Sequence, residues 1–166
     1  MNLDKKKGLK FILKFNLILI PLYLIGISGF RIYEFELLTA GLSFKLLNLF
    51  LSGASIDNTI IYVPIKYGSF GAVIDWECTG WKSMIFLSSL FFATETTNKK
   101  RLWLLAFLPI IYLFNIARIV SLFYYTSAFG PENLDFMHTY IGGFGIIFLA
   151  AFLWYIWKEF LINKSK

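Results

Sequence analysis

The chain has 166 residues, of which 58% are hydrophobic, 20% aromatic and only 16% charged. That balance excludes a soluble domain, which must leave a polar surface in water, and marks an integral membrane protein. The net charge of +6 does not point to nucleic acid, because the basic residues cluster at the ends of apolar runs instead of lining one face with interleaved aromatics.

Each helical crossing takes roughly 20 apolar residues, so the length accommodates four or five crossings with their loops. The expected fold is an all-α integral membrane protein, a polytopic helix bundle forming a single membrane domain over residues 1–166. One cysteine, Cys78, excludes an intramolecular disulfide, and one cysteine with one histidine cannot make the usual four-ligand zinc site. No metal or cofactor is expected. If Cys78 matters, it matters as a thiol.

The first apolar run covers residues 15–30 with Pro21 inside it, preceded by Lys5, Lys6, Lys7 and Lys10. No small-residue cleavage site follows Gly29, so this reads as a retained helix whose basic start stays cytoplasmic. Residues 37–51 are apolar but short for a crossing, and they carry Ser43, Lys45 and Asn48. They read as an interfacial or re-entrant helix on the outer side.

Between residues 52 and 76 the apolar period changes. Ile60 to Val63 before Pro64, and Phe70 to Ile74 after Tyr67-Gly68-Ser69, predict a small extracytoplasmic β-hairpin over 60–74. A second span covers 79–95 and ends at Asn98-Lys99-Lys100-Arg101. A third, 102–125, returns outward with Pro109, Asn115 and Arg118 inside it. An outer loop with Gly130-Pro131-Glu132-Asn133 leads to the last span, 137–157, which ends in Lys158, Lys164 and Lys166. On this path eleven of the sixteen basic residues fall in cytoplasmic segments, as the positive-inside rule requires. Cys78, Arg118 and His138 then lie near the outer membrane surface.

Those three residues are the polar outliers of apolar surroundings. Alone, a cysteine in a membrane protein is a small packing residue. Near a helix N-terminus the dipole favours its thiolate, and Lys82 one turn on adds positive charge to that face, whereas Glu77 opposes it unless turned to water. Lys82 can equally snorkel to headgroups. Gly80 permits close approach of backbone or substrate.

A membrane-buried arginine costs on the order of 3 kcal/mol, so Arg118 needs compensation: function, or an ion pair with Asp75, Glu77 or Glu132. Asn115, three residues earlier, shares its helical face, and together they can offer donors to an oxygen gaining negative charge. His138 is either an interface residue or, beside a thiol, a general base and later acid. The tryptophans and tyrosines, including Trp76, Trp81, Trp103, Tyr112, Trp154 and Trp157, mostly fit interfacial belts. Asp57-Asn58 and the acidic outer loop hint at a divalent ion, but no spacing supports a ligand set.

Taken together, these segments resemble the archaeosortase and exosortase family of membrane cysteine transpeptidases. Cys78-Thr79-Gly80 matches the family's Cys-Ser/Thr-Gly, Asn115-Ile116-Ala117-Arg118-Ile119 its Asn-x-x-Arg-Ile/Val, and His138 opens a later helix. Order and spacing agree over about residues 60–157.

The resemblance implies Cys78 as nucleophile, His138 as general acid/base and Arg118 as stabiliser of the tetrahedral intermediate, with Thr79, Gly80 and Asn115 in support. It also implies secreted protein substrates carrying a C-terminal sorting signal, a thioester intermediate, and a lipid or glycan acceptor at the cell membrane. The 60–74 hairpin is expected to offer a strand-pairing surface to the extended recognition motif. Two other readings stand beside this one. A non-catalytic component of polysaccharide or protein export would use Arg118 only as an anchor, and an intramembrane protease would pass the acyl group to water.

Overall fold

The computed structural model describes residues 3–132, 134–138 and 144–162, with side chains left aside at 3, 4, 135, 161 and 162. Part of the expected last span (139–143), Asn133 of the expected outer loop and the basic residues Lys164 and Lys166 lie outside the described residues. In chain order the elements are α1 (Leu3–Ser28), α2 (Tyr33–Leu47), β1 (Ser55–Asp57), β2 (Ile60–Ile65), β3 (Gly68–Val73), a 3-10 turn (Trp76–Thr79), α3 (Trp81–Ala93), α4 (Asn98–Arg101), α5 (Leu104–Phe129), α6 (Leu134–Phe136), α7 (Phe144–Ile156) and a wide π turn (Trp157–Ile162).

The protein is mostly helical, with one small sheet. Two helical stretches, Lys5–Ser28 and Asn98–Phe129, are long and apolar enough to cross a membrane, and Trp81–Ala93 is a shorter apolar helix. Helix α1 starts well before the apolar run: lysine is a good helix former, so the basic segment joins the helix instead of remaining a loop. Helix α2 begins at Tyr33, ahead of the apolar run at 37, because Glu34 and Glu36 fall in its first turn, where the helix dipole favours acids.

The chain divides into two compact units. The first comprises Met1–Phe30, Lys82–Ile111 and Ile147–Lys166. Its core is built from Leu87, Phe91, Leu104, Ile111, Ala150, Leu153 and Trp157. Trp157 stacks on Phe91 with centroids 4.0 Å apart, and its indole N–H donates to the Lys100 carbonyl at 2.9 Å. This fully buried ring is a core residue and not part of an interfacial belt, and Trp81 in the other unit is likewise buried.

The second unit comprises Arg31–Trp81 and Tyr112–Ile146. Its core joins Ala40 and Leu47 of α2, Ile61 and Val63 of β2, Ile74, and Ile116, Ile119, Val120 and Phe123 of α5. Glu36 of α2 is fully buried and accepts two hydrogen bonds from Arg31, at 2.8 and 2.9 Å. That bidentate pairing is what allows a carboxylate inside the unit.

The expected hairpin is present as β2–β3, but it belongs to an antiparallel three-stranded sheet of order β1-β2-β3. The added strand follows from Asp57-Asn58: Asn58 adopts φ +53°, a conformation asparagine tolerates, and Asp57 pairs with Ile60 across the turn. The Asp57-Asn58 pair is therefore a turn, closed by a 3.1 Å hydrogen bond between the two side chains.

Strand β2 is central: Ile60–Tyr62 pair with β1, the Pro64 carbonyl accepts from the Ser127 hydroxyl of α5 at 2.6 Å, and the open edge of the hairpin belongs to β3. Pro64 pairs with Ser69 and has no N–H, so that pair does not exchange ladder hydrogen bonds. Because antiparallel pairs alternate, Phe70 and Ala72 bond to β2, while Ser69, Gly71 and Val73 turn their backbone groups to the open edge. The strand-pairing surface expected over the whole hairpin thus narrows to one edge of β3.

Candidate functional site

The site is built around the turn that carries Cys78. Asp75 is extended, and both its carbonyl and its carboxylate accept from the Cys78 backbone N–H, at 3.0 and 3.2 Å. This is the N-cap arrangement that aspartate favours, with the acceptor three residues before the donor. Thr79 is buried and donates its hydroxyl to the Trp76 carbonyl at 2.8 Å, so its role is to close the turn.

Gly80 ends the turn in the left-handed conformation, φ +79°, before α3 begins at Trp81. Two constraints select glycine there. The backbone conformation is one that residues with a Cβ rarely adopt, and a Cβ would lie 3.0 Å from Asn115 Cγ and 3.2 Å from its Cβ and Nδ2. The space left by the missing side chain is filled by Asn115 of α5, whose Nδ2 donates to the Cys78 carbonyl at 2.7 Å. Two segments far apart in sequence are locked together at the nucleophile candidate.

Cys78 is half-buried and lines a cavity of about 230 Å³ together with His138, Phe70 and Ala72 of β3, and Ile119 and Thr126 of α5. His138 is on the exposed side of this cavity. Arg118 follows Asn115 by one helical turn and lines an adjoining cavity of about 460 Å³ with Ser121, Tyr125 and Met137. Leu122 borders both cavities.

Among the described residues Arg118 joins no ion pair, so the structural pairing with Asp75, Glu77 or Glu132 is not formed. Its buried Nε has no hydrogen-bond partner among the described residues, nor has the buried Oδ1 of Asn115. Unmet donors and acceptors in a low-dielectric setting are costly, and a ligand's polar groups would meet them.

Burial pushes the Cys78 thiol up to about 11, and the neighbouring Asp75 carboxylate pushes in the same direction through its charge and a hydrogen bond. The Arg118 charge acts on the thiol in the opposite sense. The acid that governs the thiol is thus Asp75 and not Glu77, which is exposed. Asp75 has two roles, capping the turn and holding the thiol neutral. Its sequence signal was the Asp-x-x-Cys spacing, an N-cap three residues ahead of the residue it holds.

The structure therefore brings Cys78, Thr79, Gly80 and Asn115 into direct contact, places His138 on the same cavity as Cys78, and sets Arg118 within electrostatic reach of the thiol. Two helical stretches of membrane-crossing length and the polar cluster around Cys78 mark a membrane protein with an organised polar site. The chain belongs to the transmembrane exosortase family, whose family model matches residues 5–155. No curated protein and no solved structure matches it.

Proposed function

We propose that this exosortase-family protein is a cysteine transpeptidase that cleaves a C-terminal sorting signal from secreted proteins and transfers them, through a thioester, to a lipid or glycan acceptor. The observation that carries this reading is the shared cavity of Cys78 and His138 beside Arg118, whose buried Nε has no hydrogen-bond partner among the described residues.

In this mechanism Cys78 Sγ attacks the scissile carbonyl while His138 takes the thiol proton. A thiol held near 11 is almost wholly neutral at physiological pH, so removal of its proton has to accompany the attack. Arg118 stabilises the oxyanion of the tetrahedral intermediate, where charge develops in a water-poor site. The C–N bond then breaks, His138 returns the proton to the leaving amine, and the acyl group remains on sulfur. A nucleophile of the acceptor attacks the thioester, and its proton passes by way of His138 to the released Cys78. Asn115 holds the Cys78 carbonyl and so positions the turn that carries the nucleophile.

The membrane path that accompanies this function is multi-pass, with the lysine-rich start of α1, the basic α4 and Lys158 after α7 in the cytoplasm and the Cys78 mouth facing outward. Strand β3 supplies the recognition edge: Phe70, Ala72 and Val73 border the Cys78 cavity, and Ser69, Gly71 and Val73 offer backbone groups to an extended sorting motif.

The test is co-expression of the protein with secreted candidates bearing C-terminal hydrophobic tails, comparing wild type with Cys78→Ala, Arg118→Ala and His138→Ala and determining the mass of the new C-terminus. Loss of cleavage in all three variants with an added acceptor mass on the wild-type product is expected. A free carboxyl terminus would make the protein a hydrolytic protease, and full processing by Cys78→Ala would leave it a non-catalytic export component.

A further inference from the structure

A third cavity, remote in sequence from the Cys78 turn and contained within the first unit, is lined by several basic residues. It has a volume of about 350 Å³ and is lined by Lys7, Lys10 and Lys14 of α1, Glu95 after α3, and Trp154 and Lys158 at the end of α7. Lys7, Lys10 and Lys14 recur at intervals of three and four residues and so share one face of α1. Lysines from both ends of the chain converge there.

Four lysines against one carboxylate leave a net of three positive charges on the lining (4 − 1). Glu95 is already engaged: its Oε1 lies 2.6 Å from Lys10 Nζ and 3.7 Å from Lys14 Nζ. The hydrogen bond from Lys10, followed by its charge, holds the Glu95 carboxyl below the usual carboxylate range. One carboxylate cannot neutralise the set, and like charges held together repel unless an anion joins them.

The rest of the lining is apolar and aromatic. Phe11 lies 5.7 Å from Trp154, and the Trp154 indole N–H is fixed by Thr94 Oγ1 at 2.9 Å. Lys158 sits over the face of the same indole, 5.3 Å from its centroid. A site with convergent ammonium groups and a rigid aromatic wall, at the end of a helix apolar enough to cross a membrane, suits a ligand that is anionic at one end and apolar at the other.

We infer that this cavity binds the phosphate headgroup of an acidic phospholipid. Basic pockets between membrane helices at the cytoplasmic side take such headgroups, and each lysine near an anionic surface contributes on the order of 1 kcal/mol. The inference does not depend on the proposed chemistry at Cys78. Bound lipid would tie together α1, the segment after α3 and the end of α7.

The experiment is native mass spectrometry of the full chain in detergent, titrated separately with phosphatidylglycerol, phosphatidylcholine and inorganic phosphate, with thermal unfolding followed in parallel. Phosphatidylglycerol is expected to remain bound and to raise the melting temperature, while phosphatidylcholine and inorganic phosphate do neither at equal concentration. The Lys7→Gln/Lys14→Gln/Lys158→Gln variant should weaken phosphatidylglycerol binding by about tenfold or more. A control, Lys5→Gln/Lys6→Gln/Lys99→Gln, removes the same charge outside the cavity and should bind like wild type. Equal weakening in the control would reduce the effect to general surface attraction and overturn the site. Equal retention of phosphatidylcholine would overturn the role of charge, and stabilisation by inorganic phosphate matching the lipid would overturn the lipid assignment.

Discussion

Asn115 stands against Gly80 and donates to the Cys78 carbonyl at 2.7 Å, so the amide of one helix occupies the room that a missing side chain leaves beside the candidate nucleophile. The two residues act as a lock and its keyhole, which gives a double-mutant prediction. Gly80→Ala places a Cβ 3.0 Å from Asn115 Cγ and strains a left-handed backbone, at a cost of about 1–2 kcal/mol for the conformation alone. Asn115→Ala removes the hydrogen bond but also the close contacts of Cγ and Nδ2, leaving only that of its Cβ at 3.2 Å. The double variant should therefore lose less stability than the sum of the single losses, by about 0.5 kcal/mol or more, because residues in contact couple. Thermal unfolding in detergent measures it, and strict additivity would show that the two residues do not meet.

A second prediction concerns the thiol. Burial and Asp75 raise Cys78 to about 11, and the thiolate is the reactive form, so alkylation by iodoacetamide should rise with pH along a curve whose midpoint lies above that of a free cysteine. The signs for the variants are opposite. Asp75→Asn keeps an acceptor for the turn but removes the negative charge, which lowers the midpoint. Arg118→Gln removes the positive charge that favours the thiolate, which raises it. Rates compared between pH 7 and 11 give the order of the three curves, and a faster reaction of Arg118→Gln than of wild type at equal pH would place its charge away from the thiol.

The motif residues were legible because their chemistry is out of place in an apolar sequence: a lone thiol, a lone imidazole and a guanidinium inside a long apolar run are visible without coordinates. Their supports were less so. Asn115 and Arg118 share a helical face by spacing, yet spacing could not show that Asn115 reaches back to the Cys78 backbone, since that contact closes 37 residues of chain. Asp75 was visible only as one of several acids, and its dominance over Glu77 depends on which side chain the turn directs inward.

The same distinction runs through the fold. Apolar run length located the long helices but not their ends, because capping acids and basic helix formers extend α1 and α2 beyond the apolar residues. Strand β1 is three residues long and carries too little periodicity to be read, so it appears only through the turn at Asn58. The burial of Trp157 was hidden for a related reason: an aromatic near a helix end reads as a belt residue until its partner Phe91 is known.

Strand β3 supplies a prediction that separates recognition from folding. Proline removes a backbone donor, and edge strands tolerate it only where the N–H faces away from the ladder. Ser69→Pro and Val73→Pro should leave the sheet intact, as judged by an unchanged melting temperature, while reducing processing of a sorting-signal substrate. Phe70→Pro and Ala72→Pro break bonds to β2 and should unfold the unit instead. Normal processing by a folded Ser69→Pro/Val73→Pro variant would remove β3 as the recognition edge and leave the chemistry at Cys78 untouched.

Arg31 and Glu36 give the last prediction, because their exposures are so unequal. The Arg31 side chain is 59% exposed, whereas that of Glu36 is 0% exposed. Removing Glu36 returns an arginine to water and leaves a small void; removing Arg31 leaves a carboxylate inside the unit with its charge uncompensated. Breaking the pair from the exposed side should therefore be the more damaging change, because it strands the buried charge. Arg31→Ala should melt at a lower temperature than Glu36→Gln. Adding Glu36→Gln to Arg31→Ala should recover part of the loss, since the amide carries no charge to bury. If the double variant is no more stable than Arg31→Ala alone, the arginine supports the loop before α2 through packing and not through its charge.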